Sequence, residues 1–466
     1  MRFRSERFAV LALASLRLAF CGYRAAHQSI TVDEAFTFTR FLKGPWSDIY
    51  GNYDANNHVL YSILAKLSIQ SFGLTELSIR LPSLIAGFFL TLAIFEVLRW
   101  CTRSIAVRWL ALIGLSLQPM LLDFSVAARG YGLGLTFLMW AMFFAMRRRY
   151  AASGVMTGLA LSANLTTAFP AAGLLCAVFL LDDVSLKERL RNFAVMMAPA
   201  ETIFVAICFG ALRTAGRNNF YIGAPTILES LRQMIGLSLQ VTRRSALLGG
   251  ERIRDLFQFV VLPGITIFMA AAAGVEYLKD RKQRLRLIPL VTLGLASGLL
   301  IAAHYAFDLV YPIDRTGLYL VLLFGIAWAS TAELVPRLRP VHMVLAFLLI
   351  VQFATQLQTG YFILWNEGAR MKEAIDLLRT ASAGRASGSV KVSTSWYHQP
   401  AVEFYRNRWN ITEWSPVEWN VPTQFSGNDF YVFKDEDPRK IDQAGIHVIF
   451  SDAKGGLVVG TPRATP

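Results

Sequence analysis

Residues 82–103 read PSLIAGFFLTLAIFEVLRWCTR, a long apolar block that ends in basic side chains. The apolar part, 82–100, approaches the roughly 20 residues that an α-helix needs to cross the hydrocarbon core of a bilayer. Arg99 lies at its C-terminal end and Arg103 follows it, and basic residues beside a span favour the cytoplasmic side. The stretch therefore predicts a membrane-spanning helix whose C-terminal end faces the cytoplasm.

Similar blocks recur along the whole chain of 466 residues. The chain is 54% hydrophobic but only 17% charged, whereas charged residues make up about a quarter of a typical soluble domain. This composition excludes an ordinary soluble globular protein and predicts an α-helical polytopic membrane protein. About eleven spans are expected, several of them a little shorter than the ~20 residues of a typical span. They lie at residues 8–26, 82–100, 104–122, 131–146, 153–164, 167–181, 192–212, 259–277, 287–304, 316–332 and 341–360.

Basic residues are concentrated in alternate connecting segments, which sets the expected orientation. The external segment 213–258 is an exception, because it also carries an excess of arginine. Arg2, Arg4 and Arg7 precede the first block, so the N-terminus is expected in the cytoplasm and the C-terminus in the periplasm or its equivalent. The formal net charge of +14 thus reflects loops that contact lipid headgroups of the inner (plasma) membrane, and no nucleic-acid partner is expected. The basic segments contain Arg99 and Arg103, then Arg147 to Arg149, Lys187 to Arg191, Lys279 to Arg286, and Arg337 with Arg339.

Two domains are expected. Residues 1–360 form the transmembrane domain, with long external loops at about 27–81 and 213–258, each carrying a helix at the membrane surface. Residues 361–466 form a small soluble extracytoplasmic α/β domain. Its predicted elements are an amphipathic helix through Met371 and Leu378, strands at 389–395, 429–434 and 446–451, and a helix at 400–409. In the transmembrane domain, Pro82 is expected in the first turn of the second span.

Asp33 and Glu34 follow the first span on the external side and are the candidate catalytic carboxylates. A carboxylate there can remove the proton of an acceptor hydroxyl. A carboxylate pair can instead hold a divalent metal that neutralises phosphate, and the metal question stays open. The structural alternative is that Asp33 caps a helix.

Cationic and aromatic side chains at external span ends are the candidate ligands of a phosphate or of another part of the substrate. Arginines that snorkel to the interface, or that bind anionic lipid, are the structural alternative. Arg80 in particular is either an interfacial anchor or a buried partner of Asp33 or Glu34. The candidates are His58, Arg80, Arg129, Tyr131, Tyr311 and Arg315, together with Arg243 and Arg244 of the second loop.

The order of these motifs resembles the GT-C superfamily of glycosyltransferases, in particular the branch of the protein O-mannosyltransferases and aminoarabinose transferases. The resemblance extends over roughly residues 8–360. Its motifs are Asp33-Glu34, Asn57-His58-Val59-Leu60-Tyr61, Arg80-Leu81-Pro82-Ser83, Ala128-Arg129-Gly130-Tyr131, and Tyr311-Pro312 with Arg315.

The resemblance implies transfer of a hexose or pentose from a polyprenyl-phosphate donor to a hydroxyl on the extracytoplasmic side, with inversion. It implies that Asp33 is the base or the carboxylate that orients the acceptor, and that Glu34 supports it. It also implies that Arg129 and Arg315 hold the carrier phosphate and that His58 and Arg80 line the site. An envelope lipid, glycan or protein is the implied acceptor. The resemblance does not decide whether a divalent metal is bound, because members of the superfamily differ in metal use. The competing hypothesis is a non-catalytic membrane protein that binds or transports polyprenyl lipid.

Overall fold

The computed structural model describes residues 2–51, 54–214, 222–239, 250–279, 281–419, 421, 425, 427–434 and 438–463. The candidates Arg243 and Arg244 lie outside the described residues. The helices are α1 (Arg2–His27), α2 (Val32–Thr37), α3 (Ser47–Gly51), α4 (Val59–Phe72), α5 (Glu76–Cys101), α6 (Ile105–Leu117), α7 (Pro119–Asp123), α8 (Gly130–Met146), α9 (Tyr150–Ala163), α10 (Ala168–Leu181), α11 (Leu186–Leu212), α12 (Ile227–Leu239), α13 (Gly250–Leu256), α14 (Leu262–Lys279), α15 (Ile288–Phe307), α16 (Leu318–Leu334), α17 (Arg339–Thr355), α18 (Met371–Ser382), α19 (Gln399–Arg408) and α20 (Pro438–Gln443). The strands are β1 (Val392–Thr394), β2 (Phe430–Lys434), β3 (Ile446–Asp452) and β4 (Leu457–Pro462).

The helices confirm a multi-pass membrane protein. In the described part of the chain, 7 helical segments are long and apolar enough to cross a bilayer. The predicted number of about eleven spans stays a prediction, because several of the apolar helices are shorter than the ~20 residues of a typical span. The 7 segments are Ser5–His27, Glu76–Cys101, Leu186–Leu212, Arg254–Tyr277, Arg284–Phe307, Asp314–Leu334 and Pro336–Thr355.

The chain divides into two compact units. The first, here the helical unit, contains Met1–Gly22, Tyr50–Ile63 and Pro82–Leu357. The second, here the mixed unit, contains Tyr23–Ile49, Leu64–Leu81 and Gln358–Pro466. The mixed unit thus joins the C-terminal residues to two segments of the predicted first external loop.

Small residues allow close helix packing inside the helical unit. A Cβ atom on Gly154 of α9 would lie 2.1 Å from the carbonyl oxygen of Met196 in α11. One turn further, a Cβ atom on Gly158 would lie 2.6 Å from the carbonyl oxygen of Ala200. Backbones approach this closely in membranes where side chains are small, because packing contacts between helices replace the hydrophobic driving force.

A four-stranded sheet in the order β1-β2-β4-β3 forms the centre of the mixed unit's C-terminal part. Strands β1 and β2 are parallel, and β4 pairs antiparallel with both β2 and β3. This arrangement, with α18 and α19, confirms the predicted small α/β fold and its first three strands. The sequence reading did not include β4. A core of buried side chains lines the sheet and consists of Val421, Tyr431, Phe433, Ile441, Ile446 and Val458.

Helix α5 begins earlier than predicted, so Pro82 lies inside the helix and not in its first turn. The Thr75 hydroxyl accepts a hydrogen bond from the Ser78 backbone N–H at 3.0 Å, which caps the new start. Proline has no N–H, so Pro82 leaves the Ser78 carbonyl without its helical donor. The Ser68 hydroxyl donates to that carbonyl at 2.6 Å and replaces the missing hydrogen bond.

Candidate functional site

The helix that carries Asp33 and Glu34 begins with a reciprocal cap. The Thr31 hydroxyl accepts from the Glu34 N–H at 3.2 Å, and the Glu34 carboxylate accepts from the Thr31 N–H at 2.8 Å. These two bonds satisfy backbone donors that would otherwise be unpaired at the start of α2. The cap is therefore Thr31, and the structural alternative in which Asp33 caps this helix is wrong.

Arg80 is the buried partner of Glu34. Its Nε donates to Glu34 Oε1 at 2.9 Å, and its Nη2 donates to Glu34 Oε2 at 2.6 Å. Its other donors go to the carbonyls of Ala25 (3.0 Å), Gln28 (2.9 Å) and Ser29 (2.7 Å). A guanidinium has five N–H donors, and all of them are used within the mixed unit. Arg80 thus ties the end of α1 to the start of α2.

Asp33 differs from its neighbour in exposure. Glu34 is fully buried, whereas Asp33 is half-buried. Consecutive helical residues project about 100° apart, so the two carboxylates leave α2 in different directions. One of the Asp33 oxygens, Oδ2, is buried. The pair is therefore divided into a fully buried carboxylate that forms an ion pair and a carboxylate that is partly exposed.

In the helical unit, two other candidates come together at the starts of helices. His58 directly precedes α4 and Arg129 directly precedes α8, and both are buried. The His58 ring lies edge-to-face with the Tyr131 ring, with centroids 5.0 Å apart. Arg129 donates from Nη2 to the Asn56 side-chain oxygen at 2.8 Å and from Nη1 to the Asn56 carbonyl at 3.2 Å. Residues 54–58 and 128–131 therefore form one local cluster.

Two glycines explain how this cluster packs. A Cβ atom on Gly130 would lie 2.0 Å from the carbonyl oxygen of Ala163 and 2.8 Å from Cβ of His58. A Cβ atom on Gly132 would lie 2.2 Å from the carbonyl oxygen of Phe124. Real Cβ atoms do not approach backbone oxygens this closely, because packed interiors have no spare volume. The Gly-Tyr-Gly sequence thus lets the start of α8 lie directly against His58.

The electrostatics at His58 disfavour its protonated form. Burial lowers the pKa of His58 well below its usual value, and the charges of Arg129 and Arg315 lower this pKa further. The imidazole is therefore neutral near pH 7. Its Nε2 atom is buried and has no hydrogen-bond partner among the described residues. A neutral ring beside two guanidinium groups is a favourable environment for an anion, since the anion interacts with both positive charges.

The last pair of candidates occupies the segment before α16. Arg315 is half-buried on the 3₁₀ turn Asp314–Gly317 and is close enough to His58 to affect its pKa. Tyr311 exchanges backbone hydrogen bonds with Ala224 at 2.8 and 2.9 Å. Its ring packs in an apolar cluster with Ala224 and Leu300. Arg315 thus joins the His58 cluster, whereas the described contacts of Tyr311 serve packing.

Asn56 is a residue of this cluster that the sequence analysis did not single out. Its backbone N–H donates to the Asp54 carboxylate at 2.7 Å, which turns the chain and directs the Asn56 amide oxygen to Arg129. Side chains of the Asp-x-Asn type favour such turns, so a sequence signal was present. No sequence signal indicated that Asn56 pairs with Arg129, because the two residues are 73 positions apart.

No family model matches the chain, and no curated protein matches it. Solved structures do. The oligosaccharyltransferase of Archaeoglobus fulgidus, in complex with zinc and sulfate, is 12% identical over 91% of this chain and 68% of its own, with a TM-score of 0.51. ArnT from Cupriavidus metallidurans bound to undecaprenyl phosphate is 14% identical over 99% of this chain and 98% of its own, with a TM-score of 0.47. A mutant of the mycobacterial arabinofuranosyltransferase AftD is 12% identical over 98% of this chain and 42% of its own, with a TM-score of 0.49.

The similarity to the archaeal oligosaccharyltransferase concerns the fold. The match confirms the predicted GT-C-like fold of a polytopic helical membrane protein. The smaller C-terminal part is seen in the four-stranded sheet of this chain. At this level of identity the similarity concerns the fold, and the activity has to be argued from the site.

Proposed function

We propose that this protein is a membrane glycosyltransferase that takes a sugar from a polyprenyl-phosphate-linked donor and transfers it to an acceptor hydroxyl on the extracytoplasmic side. The observation that supports the proposal is the cluster of the helical unit in which Arg129 and Arg315 act on a buried, neutral His58. The order of motifs that resembles GT-C glycosyltransferases supports it independently.

The chemistry of the leaving group suits this cluster. When the sugar is transferred, the bond between its anomeric carbon and the phosphate oxygen breaks, and the lipid phosphate keeps the electron pair. Guanidinium groups stabilise the negative charge that develops on that oxygen. They also bind phosphate oxygens in pairs of parallel hydrogen bonds. Arg129 and Arg315 are the proposed phosphate ligands, and the Nε2 tautomer of His58 is a proposed third donor.

Asp33 is the proposed base. An inverting transfer needs one carboxylate to accept the proton of the acceptor hydroxyl as its oxygen attacks the anomeric carbon. Asp33 is half-buried, whereas the carboxylate of its neighbour Glu34 is paired with the guanidinium of Arg80. Asp33 is thus the more exposed carboxylate of the two, while Glu34 and Arg80 support the helix that carries it.

The remaining predicted residues keep narrower roles. Tyr131 is proposed to line the site through its contact with His58. Arg243 and Arg244, which lie outside the described residues, stay predicted phosphate or lipid contacts. A hexose or pentose as the sugar, an envelope lipid, glycan or protein as the acceptor, and the inner membrane as the location belong to this proposal as predictions. No metal is assigned.

Deletion of the gene followed by mass spectrometry of envelope glycans and lipids tests the proposal. We expect one glycan or lipid to lose a sugar, and the wild-type gene to restore it. The Asp33→Asn variant should insert normally but fail to restore the sugar, whereas Asp183→Asn, which changes an exposed carboxylate of the helical unit, should restore it. Unchanged glycans and lipids after deletion would contradict transferase activity and favour the lipid-binding or transport hypothesis.

A further inference from the structure

Tyr405 of α19 connects two segments that are distant along the chain. Its side chain is fully buried. Its hydroxyl accepts a hydrogen bond from the Ile30 backbone N–H at 2.9 Å and donates one to Glu76 Oε1 at 3.2 Å. All three residues belong to the mixed unit. One hydroxyl of the C-terminal part therefore joins the segment before α2 to the first residue of α5.

Glu76 has an unusual number of partners for a carboxylate that is only 1% exposed. Besides Tyr405 it pairs with Lys372 of α18, at 3.3 Å, and with Arg408 of α19. A buried carboxylate is tolerated only when it is paired in this way. Burial and the charge of Glu76 both raise the pKa of Tyr405 well above its usual value, so its hydroxyl stays protonated. The hydroxyl is therefore a permanent donor to Glu76.

The residues before α2 are held from two directions. From one side, Arg80 binds the carbonyls of Gln28 and Ser29. From the other, the Ser29 hydroxyl donates to the Ala369 carbonyl at 2.8 Å and accepts from the Lys372 N–H at 3.0 Å. Ile30, bound by Tyr405, directly precedes the cap of α2. The start of α2 is thus held by backbone groups of Ala369 and Lys372 and by the Tyr405 side chain, as well as by Arg80.

We propose that Tyr405 is a positioning residue for Asp33. Its hydroxyl fixes the backbone at Ile30, and this fixes the start of the helix from which the Asp33 carboxylate projects. The inference rests on the proposed role of Asp33 as the base. A displacement of a reacting group by about 1 Å can cost roughly 100-fold in rate, so a single hydrogen bond at this point has a kinetic effect. The C-terminal part then contributes to the reaction without touching substrate.

The test compares Tyr405→Phe with Tyr431→Phe in full-length protein reconstituted in lipid nanodiscs. Both variants remove one buried hydroxyl from the same part of the mixed unit. Tyr431 is 1% exposed in β2, and its hydroxyl accepts from the Asn428 N–H at 3.4 Å. Sugar transfer is measured on envelope membranes of the deletion strain, which contain donor and unmodified acceptor. Their extracted polyprenyl-phosphate lipids are added in increasing amounts to obtain kcat and KM.

We expect Tyr405→Phe to increase hydrogen–deuterium exchange of residues 28–37. We expect kcat to fall about tenfold or more while the KM for the added lipid changes less than about twofold, because positioning acts on the chemical step. Tyr431→Phe should change neither. An active wild type with an equally active Tyr405→Phe variant would overturn the positioning role alone. Equal loss in both variants would overturn it as well, whereas an inactive wild type would overturn the proposed function.

Discussion

Arg80 binds both carboxylate oxygens of Glu34, at 2.9 and 2.6 Å, and both side chains are completely shielded from solvent. The adjacent carboxylate, Asp33, is half-buried. Two neighbouring acids on one short helix thus have different environments, and mutations at these positions should separate stability from activity.

The first prediction concerns stability. Glu34→Gln removes the charge that compensates Arg80, and breaking a buried ion pair costs about 3–5 kcal/mol. The unfolding temperature should therefore fall clearly for Glu34→Gln and little for the adjacent, isosteric change Asp33→Asn. Replacing both partners, as in Glu34→Gln with Arg80→Met, should recover part of the loss because no uncompensated charge remains. Equal unfolding temperatures for the two single variants would contradict the structural role of Glu34.

The second prediction concerns the chemical step. Removal of a general base lowers the rate by about 10²- to 10⁴-fold. Asp33→Asn should show this loss in kcat, with an unfolding temperature close to that of wild type. The rate is measured on envelope membranes of the deletion strain, with Asp183→Asn as the control. An Asp33→Asn variant with more than about a tenth of the wild-type kcat would refute its assignment as the base.

Local patterns allowed much of the fold to be predicted. Apolar blocks such as 82–100 and 192–212 became parts of α5 and α11, because the length and hydropathy of a span are properties of a single segment. The same holds for the helix that contains Met371 and for the three predicted strands. The start of α5 was missed although Thr75 and Ser78 carry a capping signal, since Pro82 suggested a later start. The hairpin to β4 was also signalled, by Gly455 and Gly456 between two strand-like runs.

The site was less predictable, because its decisive contacts join distant segments. That Arg80 would pair with Glu34 and not with Asp33 depends on how α2 is turned, and the sequence reading left both partners open. The Tyr405 hydroxyl contacts Glu76 across 329 residues of sequence. No periodicity or local motif contains such a pairing, since it results from the packing of whole elements.

The third prediction is a pH dependence of stability. Burial lowers the pKa of His398 to about 4, below the ordinary value of about 6.5 that applies in the unfolded chain. Below that ordinary value the unfolded state binds a proton that the folded state does not, so stability falls as pH falls from about 6.5 toward 4. The loss from this residue between pH 7 and pH 5 is about 2 kcal/mol.

His398→Gln should remove this contribution, so that unfolding temperatures at pH 7 and pH 5 differ less than in wild type. His447→Gln, a change of an exposed histidine on β3, is the matched control and should keep the wild-type difference. If His398→Gln showed the same pH dependence as wild type, the neutral, buried state of His398 would be wrong.

The fourth prediction concerns the packing at Arg129. Gly130→Ala places a methyl group against the Ala163 carbonyl and His58. Overpacking of this kind costs about 1–3 kcal/mol. The variant should unfold at a lower temperature and bind lipid phosphate more weakly. Gly294→Ala in α15, where a Cβ atom would meet nothing within 4 Å, should be neutral in both measurements. Similar behaviour of the two variants would argue against the close approach at Gly130.

The most direct measurement is the affinity of the purified protein in nanodiscs for polyprenyl phosphate without a sugar, at one fixed salt concentration. Each charge-assisted hydrogen bond contributes about 1.5–3 kcal/mol, so Arg129→Gln and Arg315→Gln should each weaken binding about 10- to 100-fold. Arg337→Gln, which changes an exposed arginine of the helical unit, should bind as wild type does. Correctly folded Arg129→Gln and Arg315→Gln variants that bind polyprenyl phosphate as tightly as wild type would contradict the phosphate site on which the proposed function depends.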